Sequence, residues 1–154
     1  MAIEIERKFL VNQSPFHLAK KSRHIKQGYI VHDQKQVIRV RKKDRDYFLT
    51  IKGSNNGISR LEFEFPIPKN DAEELFLHFC QTAIIDKTRH YIDYKGHTWE
   101  VDEFHGDNHG LVIAEIELQS VNEKFNLPEW IGDEVSAENK YYNMNLAKHP
   151  FKEW

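Results

Sequence analysis

The sequence of 154 residues has one cysteine, seven glycines and no long apolar run. The single thiol, Cys80, rules out an internal disulfide or a zinc cluster of cysteines and is typical of a reducing compartment. No segment approaches the roughly 20 apolar residues of a membrane-spanning helix. The first ten residues mix acidic with apolar side chains, unlike a signal peptide. These features predict a cytoplasmic protein.

An excess of either charge is also missing, because the formal net charge is −2. A chain with so little net charge has no global attraction for nucleic acid or for a membrane surface, and neither partner is expected. Affinity for a polyanion would have to come from local clusters of basic side chains.

Familiar catalytic motifs are absent as well. The sequence has no phosphate-binding glycine loop, no HExxH helix and no nucleophile elbow. His105 and His109 lie four residues apart, but they fall in a loop rather than on a helix, so a shared metal site is not expected. Cys80 lies on the apolar stripe of a predicted helix and is expected in the core.

The sequence instead contains repeated strand-like alternation. In the first strand Glu4, Glu6 and Lys8 share one face and apolar side chains share the other, because successive side chains point to opposite faces. The same pattern predicts eight strands, at 3–10, 24–31, 36–43, 47–53, 58–65, 84–94, 97–104 and 111–118. Helices are predicted near 14–21 and from Asn70 or Asp71 onward. In the tail, Ser136 is predicted to cap a short helical or irregular stretch through Lys140, Tyr141 and Tyr142. The length indicates one domain over 1–154.

The predicted fold is α+β and mostly β, an eight-stranded antiparallel closed barrel with a few covering helices. At least six strands carry charged residues at alternate positions. An ordinary sheet with one wet face explains any single strand but not the whole set, since neutral polar residues are rare among them. An outer-membrane barrel disagrees with the missing signal peptide and with strands mostly shorter than about 9 residues. The remaining geometry is a soluble barrel with a charged bore.

The predicted bore carries both signs of charge. Its bases are Lys8, Arg39, Arg41, Lys52, Lys87, Arg89 and Lys140, and its acids are Glu4, Glu6, Glu62, Glu64, Glu100, Asp102, Glu115 and Glu117. Carboxylates bind Mg²⁺ or Mn²⁺, and basic side chains bind phosphate oxygens, so the mixture indicates a polyanion with divalent cations. Seven bases against eight acids sum to −1, and about two divalent cations would raise this to about +3.

Eight ordered motifs carry a resemblance to a known family. They are Glu4-x-Glu6-x-Lys8, Lys26-Gln27-Gly28-Tyr29, Arg39-x-Arg41, Thr50-Ile51-Lys52-Gly53, Glu62-x-Glu64, Trp99-Glu100-Val101-Asp102-Glu103-Phe104, Ala114-Glu115-Ile116-Glu117 and Tyr142-Asn143. Over essentially its whole length the chain resembles a short bacterial CYTH protein of the triphosphate tunnel metalloenzyme superfamily. The resemblance implies an eight-stranded tunnel, a divalent metal and chemistry on a triphosphate.

The resemblance also implies roles for individual residues. The metal candidates are Glu4, Glu6, Glu115 and Glu117, then Asp102, with Glu62, Glu64 and Glu100 as further ligands or as partners that orient the bases. The phosphate contacts are Lys8, Arg39, Arg41, Lys52, Lys87, Arg89 and Lys140. The family more often has arginine at the last of these positions, and lysine keeps the charge but loses the bidentate fork.

Two residues are candidates for the base that activates water. Tyr29 would be favoured by a neighbouring Lys8, which would lower the pKa of the phenol. Lys87 would be favoured by burial and by Arg89, which would lower the pKa of the ammonium group. The sequence leaves both open.

The predicted function is hydrolysis of inorganic triphosphate to pyrophosphate and phosphate. The alternatives are a class IV adenylate cyclase, a nucleoside or thiamine triphosphatase, and a polyphosphate-binding module without turnover. A homodimer is also predicted, since two or three short helices would leave part of the barrel's apolar exterior uncovered.

Overall fold

The structure, a computed structural model, describes residues 2–33 and 35–154 and consists mainly of strands. The strands are β1 (Ile3–Val11), β2 (Lys21–His32), β3 (Gln36–Lys43), β4 (Asp46–Gly53), β5 (Ser59–Pro66), β6 (Ile85–Tyr94), β7 (His97–Phe104), β8 (Val112–Glu117) and β9 (Ile131–Glu134). The helices are α1 (Lys69–His78) and α2 (Asn143–Leu146). The turn predicted at 33–35 includes Gln34, which lies outside the described residues.

The sheet closes on itself. Its strand order is β5-β4-β3-β2-β6-β7-β8-β1, and a further pairing joins β5 to β1. Every pairing is antiparallel, and the predicted eight-stranded closed barrel is confirmed. The unpredicted β9 pairs with the last residues of β1.

The strand alternation separates a charged interior from an apolar exterior. On β1 the side chains of Glu6 and Lys8 face the interior, whereas Phe9 joins an outer cluster. In that cluster the ring of Trp99 lies 5.5 Å from Phe9 and 5.9 Å from Trp130, centroid to centroid. The segment between β8 and β9 therefore covers this part of the barrel.

The C-terminal segment closes one mouth of the barrel. Inside that end, Tyr29, Val37 and Phe104 pack with Tyr141 and Leu146 of the tail in one buried cluster. Because the interior side chains at this end are apolar, the tail buries them and covers this end of the charged bore.

Helix α1 packs outside β3 and β4, where Val40 and Tyr47 form a small core with its apolar side chains. Cys80, just beyond the helix, is partly buried against it. No helix in the described ranges is long and apolar enough to cross a membrane.

Three predictions about helix starts are wrong. Helix α1 begins at Lys69, directly after Pro68, so neither Asn70 nor Asp71 caps it. The segment predicted as a helix near 14–21 forms only a 3₁₀ turn at Phe16–Leu18. Ser136 starts no helix, because its hydroxyl accepts a hydrogen bond from the Lys8 backbone N–H and donates one to Glu134.

Candidate active site

The barrel encloses a cavity of about 200 Å³ that opens at the mouth opposite the tail. Its acidic lining residues are Glu4, Glu6, Glu62, Glu64, Glu100, Glu115 and Glu117. Its basic lining residues are Lys8, Arg39, Arg41, Lys43, Lys52, Arg60, Lys87 and Arg89. Seven acids and eight bases give the lining a charge of +1, instead of the −1 that the sequence suggested.

Two predicted site residues do not line the cavity. Asp102 is fully buried behind the wall, and its two carboxylate oxygens accept hydrogen bonds from Lys87 and Arg89, which leaves it poorly placed as a metal ligand. Lys140 is exposed on the tail, where its ammonium group stacks over the rings of Tyr141 and Trp154. The tail turns this side chain away from the bore, so the structure does not place it among the phosphate contacts.

Strands β1 and β8 form the acidic wall. Lys8 lies directly opposite Glu115, and their charged atoms are 2.8 Å apart. Glu6 lies directly opposite Glu117, so two carboxylates face each other across the pair of strands. Like charges in such positions repel, and Glu117 has no basic partner within salt-bridge distance in the described part of the chain.

The pKa values separate compensated from uncompensated carboxylates. Burial and the nearby Glu115 raise the pKa of Glu6 to about 8. Burial and the neighbouring Glu100 also raise the pKa of Glu117. Burial has the same tendency at Glu4, but Lys52, with its Nζ 2.9 Å from Oε2, lowers that pKa to about 2. Glu6 is therefore only partly compensated, because Lys8, 3.4 Å from its Oε1, lies closer to Glu115.

Strand β3 supplies the least compensated cations. Arg41 is 8% exposed, and its Nε donates a hydrogen bond to the amide oxygen of Gln27. Among the described residues it has no carboxylate within salt-bridge distance. Burial and the neighbouring Arg39 and Arg89 lower its pKa to about 10. A buried guanidinium group without a counter-ion is favourable only if an anion joins it.

The other predicted bases that line the cavity are paired with acids. Arg39 donates to Thr50 and lies 3.6 Å from Glu64. Lys52 contacts Glu4 and Glu62, at 2.9 and 3.0 Å. These pairs hold long side chains in fixed positions in the wall.

Lys87 occupies the boundary between the charged cavity and the closed end. Its Nζ donates to Asp102 Oδ2 at 2.7 Å and to Asn143 Oδ1 at 2.8 Å. Burial, only partly offset by the attraction of Asp102, lowers its pKa to about 7, and Arg89 contributes to the same shift. An amine with a pKa near neutrality is able to accept a proton at the pH of the cell.

Tyr29 also lines the cavity, but Lys8 is not its partner. The Tyr29 hydroxyl accepts a hydrogen bond from Gln27 Nε2 at 2.8 Å. Lys8 bonds to Glu115 and Glu6 instead, and its ammonium group lies over the ring of Tyr142. The argument from sequence that Lys8 tunes the Tyr29 phenol is therefore not supported by these contacts.

Carboxylate oxygens are suitable ligands for Mg²⁺ or Mn²⁺. Within residues 2–33 and 35–154, no three carboxylate, imidazole or thiol groups converge to form a preformed metal cage. The facing pair of Glu6 and Glu117, with Glu115 beside it, nevertheless fits a divalent cation, because such an ion would relieve the repulsion between them.

A charged bore of this kind, inside a barrel closed by eight strands, can be compared with known proteins. The sequence profile of the CYTH domain matches residues 2–148. The chain belongs to the CYTH family. It is 45% identical over 152 residues to an inorganic triphosphatase of Acetivibrio thermocellus, a match that covers 99% of this chain and 97% of the relative. It is 33% identical to an inorganic triphosphatase of Nitrosomonas europaea, covering 94% and 96% of the two chains.

Solved structures agree with this placement among CYTH proteins. The crystal structure of an inorganic triphosphatase superposes with a TM-score of 0.68 at 31% identity, covering 96% of this chain and 95% of that one. A conserved hypothetical protein from Pyrococcus furiosus gives a TM-score of 0.61 at 25% identity, covering 77% and 80%.

Several residues that line this CYTH cavity were missed as site residues, among them Lys43, Arg60, Gln27 and Asn143. Lys43 could have been found by extending the charged face of β3 by one more position, and Arg60 was already assigned to the charged face of the fifth strand but was not counted among the bases. Gln27 shares a face with Tyr29, but a neutral amide carries no signal of its function. Asn143 comes from the tail, and its contact with Lys87 depends entirely on the tertiary fold.

Proposed function

We propose that this chain is a metal-dependent triphosphatase that hydrolyses inorganic triphosphate to pyrophosphate and phosphate in the barrel cavity. The observation that carries this proposal is the buried Arg41, which has no carboxylate within salt-bridge distance among the described residues and lines the same cavity as the glutamates of β1 and β8. Positioning and charge neutralisation account for most of phosphoryl-transfer catalysis. Arg39, Lys52 and Arg89 supply further positive charge along the same cavity.

Dependence on a divalent metal is general among CYTH triphosphatases, and the carboxylates of this chain fit it. We propose Mg²⁺ or Mn²⁺ as the cofactor, with Glu6, Glu117 and Glu115 as its main ligands and Glu4, Glu62 and Glu64 as further candidates. When bound, the cation would neutralise negative charge on the phosphate oxygens. Asp102 is left out of the set, because its oxygens are occupied by Lys87 and Arg89.

The reaction requires a base for the attacking water. Water adds to the terminal phosphorus, its proton passes to the base, the bridging P–O bond breaks, and phosphate and pyrophosphate leave. We propose Lys87 as the base, supported by its lowered pKa of about 7 and its position on the cavity.

Lys87→Arg keeps the charge but does not accept a proton at neutral pH, so it should be inactive, whereas Tyr29→Phe should retain turnover. The opposite result would assign the base to Tyr29.

A substrate panel tests the proposed activity. Purified protein with Mg²⁺ or Mn²⁺ should release phosphate from tripolyphosphate faster than from ATP or thiamine triphosphate. Glu115→Gln should nearly abolish this release, and Glu103→Gln, on the outer face of the barrel, serves as its control. Cyclic AMP and pyrophosphate from ATP would indicate a cyclase, and metal-dependent binding without turnover would indicate a polyphosphate-binding module.

We further propose that a second copy of the chain covers the exposed apolar face of β5. Phe63 and Phe65 are 47% and 50% exposed there, and Ile51 and Leu61 extend the patch on adjacent positions. A soluble barrel rarely leaves such a surface uncovered. Light scattering at micromolar concentration should give a dimeric mass that Phe63→Glu reduces to that of a monomer. A wild-type monomer would contradict the proposal.

The expected location is the cytoplasm. Cys80 is the one cysteine of the sequence and is partly buried, which is typical of proteins from a reducing compartment. Fractionation of cells that express the chain would test this expectation.

A further inference from the structure

The interior face of β3 presents three basic side chains in a row. Arg39, Arg41 and Lys43 occupy alternate positions and all line the cavity. The row begins beside Val37, which packs with the tail at the closed end, so Lys43 lies toward the open mouth. Neighbouring members of the row are separated by about 6.8 Å along the strand. The cationic lining therefore continues from the buried centre of the cavity to its entrance.

The two carboxylates next to Lys43 in the sequence and across the strand pair bind another residue. Asp46 lies directly opposite across β3 and β4, and Asp44 is the next residue in the chain. Both carboxylates are bound instead by Arg23, at 2.9 Å each. In the described part of the chain, no carboxylate lies within salt-bridge distance of the Lys43 ammonium group.

The surroundings of Lys43 are cationic and partly aromatic. Its Nζ is 6.0 Å from the centroid of the Tyr91 ring, and Lys21 lies 5.0 Å from the same centroid. Burial lowers the pKa of Lys43, repulsion from Arg89 and Arg41 adds to the effect, and the attraction of Glu100 offsets it only in part. A half-buried cation among other cations is unfavourable in the empty cavity and would be stabilised by an anion.

We propose that Lys43 forms an anion subsite at the mouth that binds the fourth phosphate of linear polyphosphates longer than triphosphate. The tail covers the other end of the cavity, so a polyphosphate chain too long for the cavity extends toward the mouth that Lys43 lines. The residue thereby determines how well the enzyme accepts longer substrates. This proposal rests on the proposed triphosphatase function of the same cavity.

The test compares two adjacent lysines on opposite faces of β3. Lys43→Met removes the charge inside the mouth, and Lys42→Met removes the same charge from the outer face, where Lys42 lies over the ring of Tyr47. Phosphate release is measured from tripolyphosphate and tetrapolyphosphate with Mg²⁺. The ratio of kcat/KM for tetrapolyphosphate to that for tripolyphosphate should fall about tenfold in Lys43→Met, the value of one charged hydrogen bond. It should stay within about twofold in Lys42→Met.

A further variant and the wild type complete the test. Lys43→Arg should restore most of the ratio, mainly through KM, because the charge returns. An unchanged ratio in Lys43→Met, an equal fall in Lys42→Met, or a wild type that does not use tetrapolyphosphate would overturn the subsite while leaving the triphosphatase proposal intact. A wild type that releases no phosphate from tripolyphosphate with either metal would overturn both.

Discussion

Lys87 and Asp102 form an ion pair in which neither side chain is more than 1% exposed, with Nζ 2.7 Å from Oδ2. Arg89 donates to both oxygens of the same carboxylate. One acid thus holds two cavity-lining bases from behind the wall. Asp102 was expected to bind metal, but both of its oxygens accept hydrogen bonds from these two bases.

The first prediction concerns this anchor. Asp102→Asn keeps the shape of the side chain but leaves two buried cations short of a negative charge. The free energy of unfolding should fall by about 3 kcal/mol, as it does when other buried ion pairs lose one partner. Urea denaturation will measure this change. Glu103→Gln is the matched control on the outer face, with a side chain 39% exposed, and should change stability by less than about 0.5 kcal/mol. Equal losses in the two variants would contradict this role.

The second prediction concerns pH and metal binding. The pKa of Glu6 is about 8 in the folded protein, against an ordinary value of 4.5. Between these values the unfolded chain has released this proton while the native state retains it, so stability falls as the pH rises through that window. A divalent cation compensates the carboxylate once it is ionised, so Mg²⁺ or Mn²⁺ should raise the melting temperature more at pH 8 than at pH 5.

The corresponding variants are Glu6→Gln and Glu129→Gln. Glu6→Gln should reduce both the pH dependence of the melting temperature and its response to metal. Glu129 is exposed and does not line the cavity, so its variant should behave as the wild type. A metal response that is independent of pH and of Glu6 would place the cation elsewhere.

The third prediction concerns Gly28 in the middle of β2. A Cβ at this position would lie 2.6 Å from Cys80 Sγ and 2.8 Å from Ile84 Cδ1. Gly28→Ala should therefore destabilise the protein by about 1–3 kcal/mol through overpacking, which thermal denaturation will detect. Gly53→Ala, where the nearest atom is 3.7 Å away, should cost less. Adding Cys80→Ala to Gly28→Ala should recover part of the loss.

The fourth prediction concerns the contact between the tail and the cavity. The side-chain oxygen of Asn143 accepts hydrogen bonds from Lys87 at 2.8 Å and from Gln27 at 3.2 Å. Asn143→Ala removes both and leaves Lys87 held by Asp102 alone among its side-chain partners in the described residues. The less constrained amine should lower kcat about tenfold with little change in KM. Asn145→Ala is the control within the same segment, since its amide bonds only to the Asn139 carbonyl. A similar fall in kcat for Asn145→Ala would indicate a general loosening of the tail.

Most of the barrel could be predicted from the sequence, because a strand with one charged and one apolar face has charged and apolar residues at alternate positions. The structural ends of β3 and β7 coincide with the predicted ones, and the remaining predicted strands differ by at most three residues. Helix starts were predicted less well. Asn70 and Asp71 have good capping side chains, but the chain turns one residue after Pro68, and the helix begins there.

The residues of the site could be predicted only where they follow the alternation of the strands. Alternation assigns Glu4, Glu6, Lys8, Arg39 and Arg41 to one side of the sheet, and closure of the barrel makes that side the interior. Alternation does not give depth along the bore, and for this reason Asp102 was grouped with the candidate metal ligands. It also gives no information about a tail without strand periodicity, which led to the misplacement of Lys140 and the omission of Asn143.

By itself, the sequence determined which side chains share a face, and hence that charges of both signs would meet inside a closed sheet. Only the tertiary structure decided which of them carry a partner. Arg23 binds both acids near Lys43. Asp102 accepts hydrogen bonds from both Lys87 and Arg89, and Glu6 lies opposite Glu117. The alternation of side chains along a strand is a local property, because it depends only on neighbouring residues of the sequence. Which charged side chains form ion pairs depends instead on the register and shear between strands that are distant in the chain.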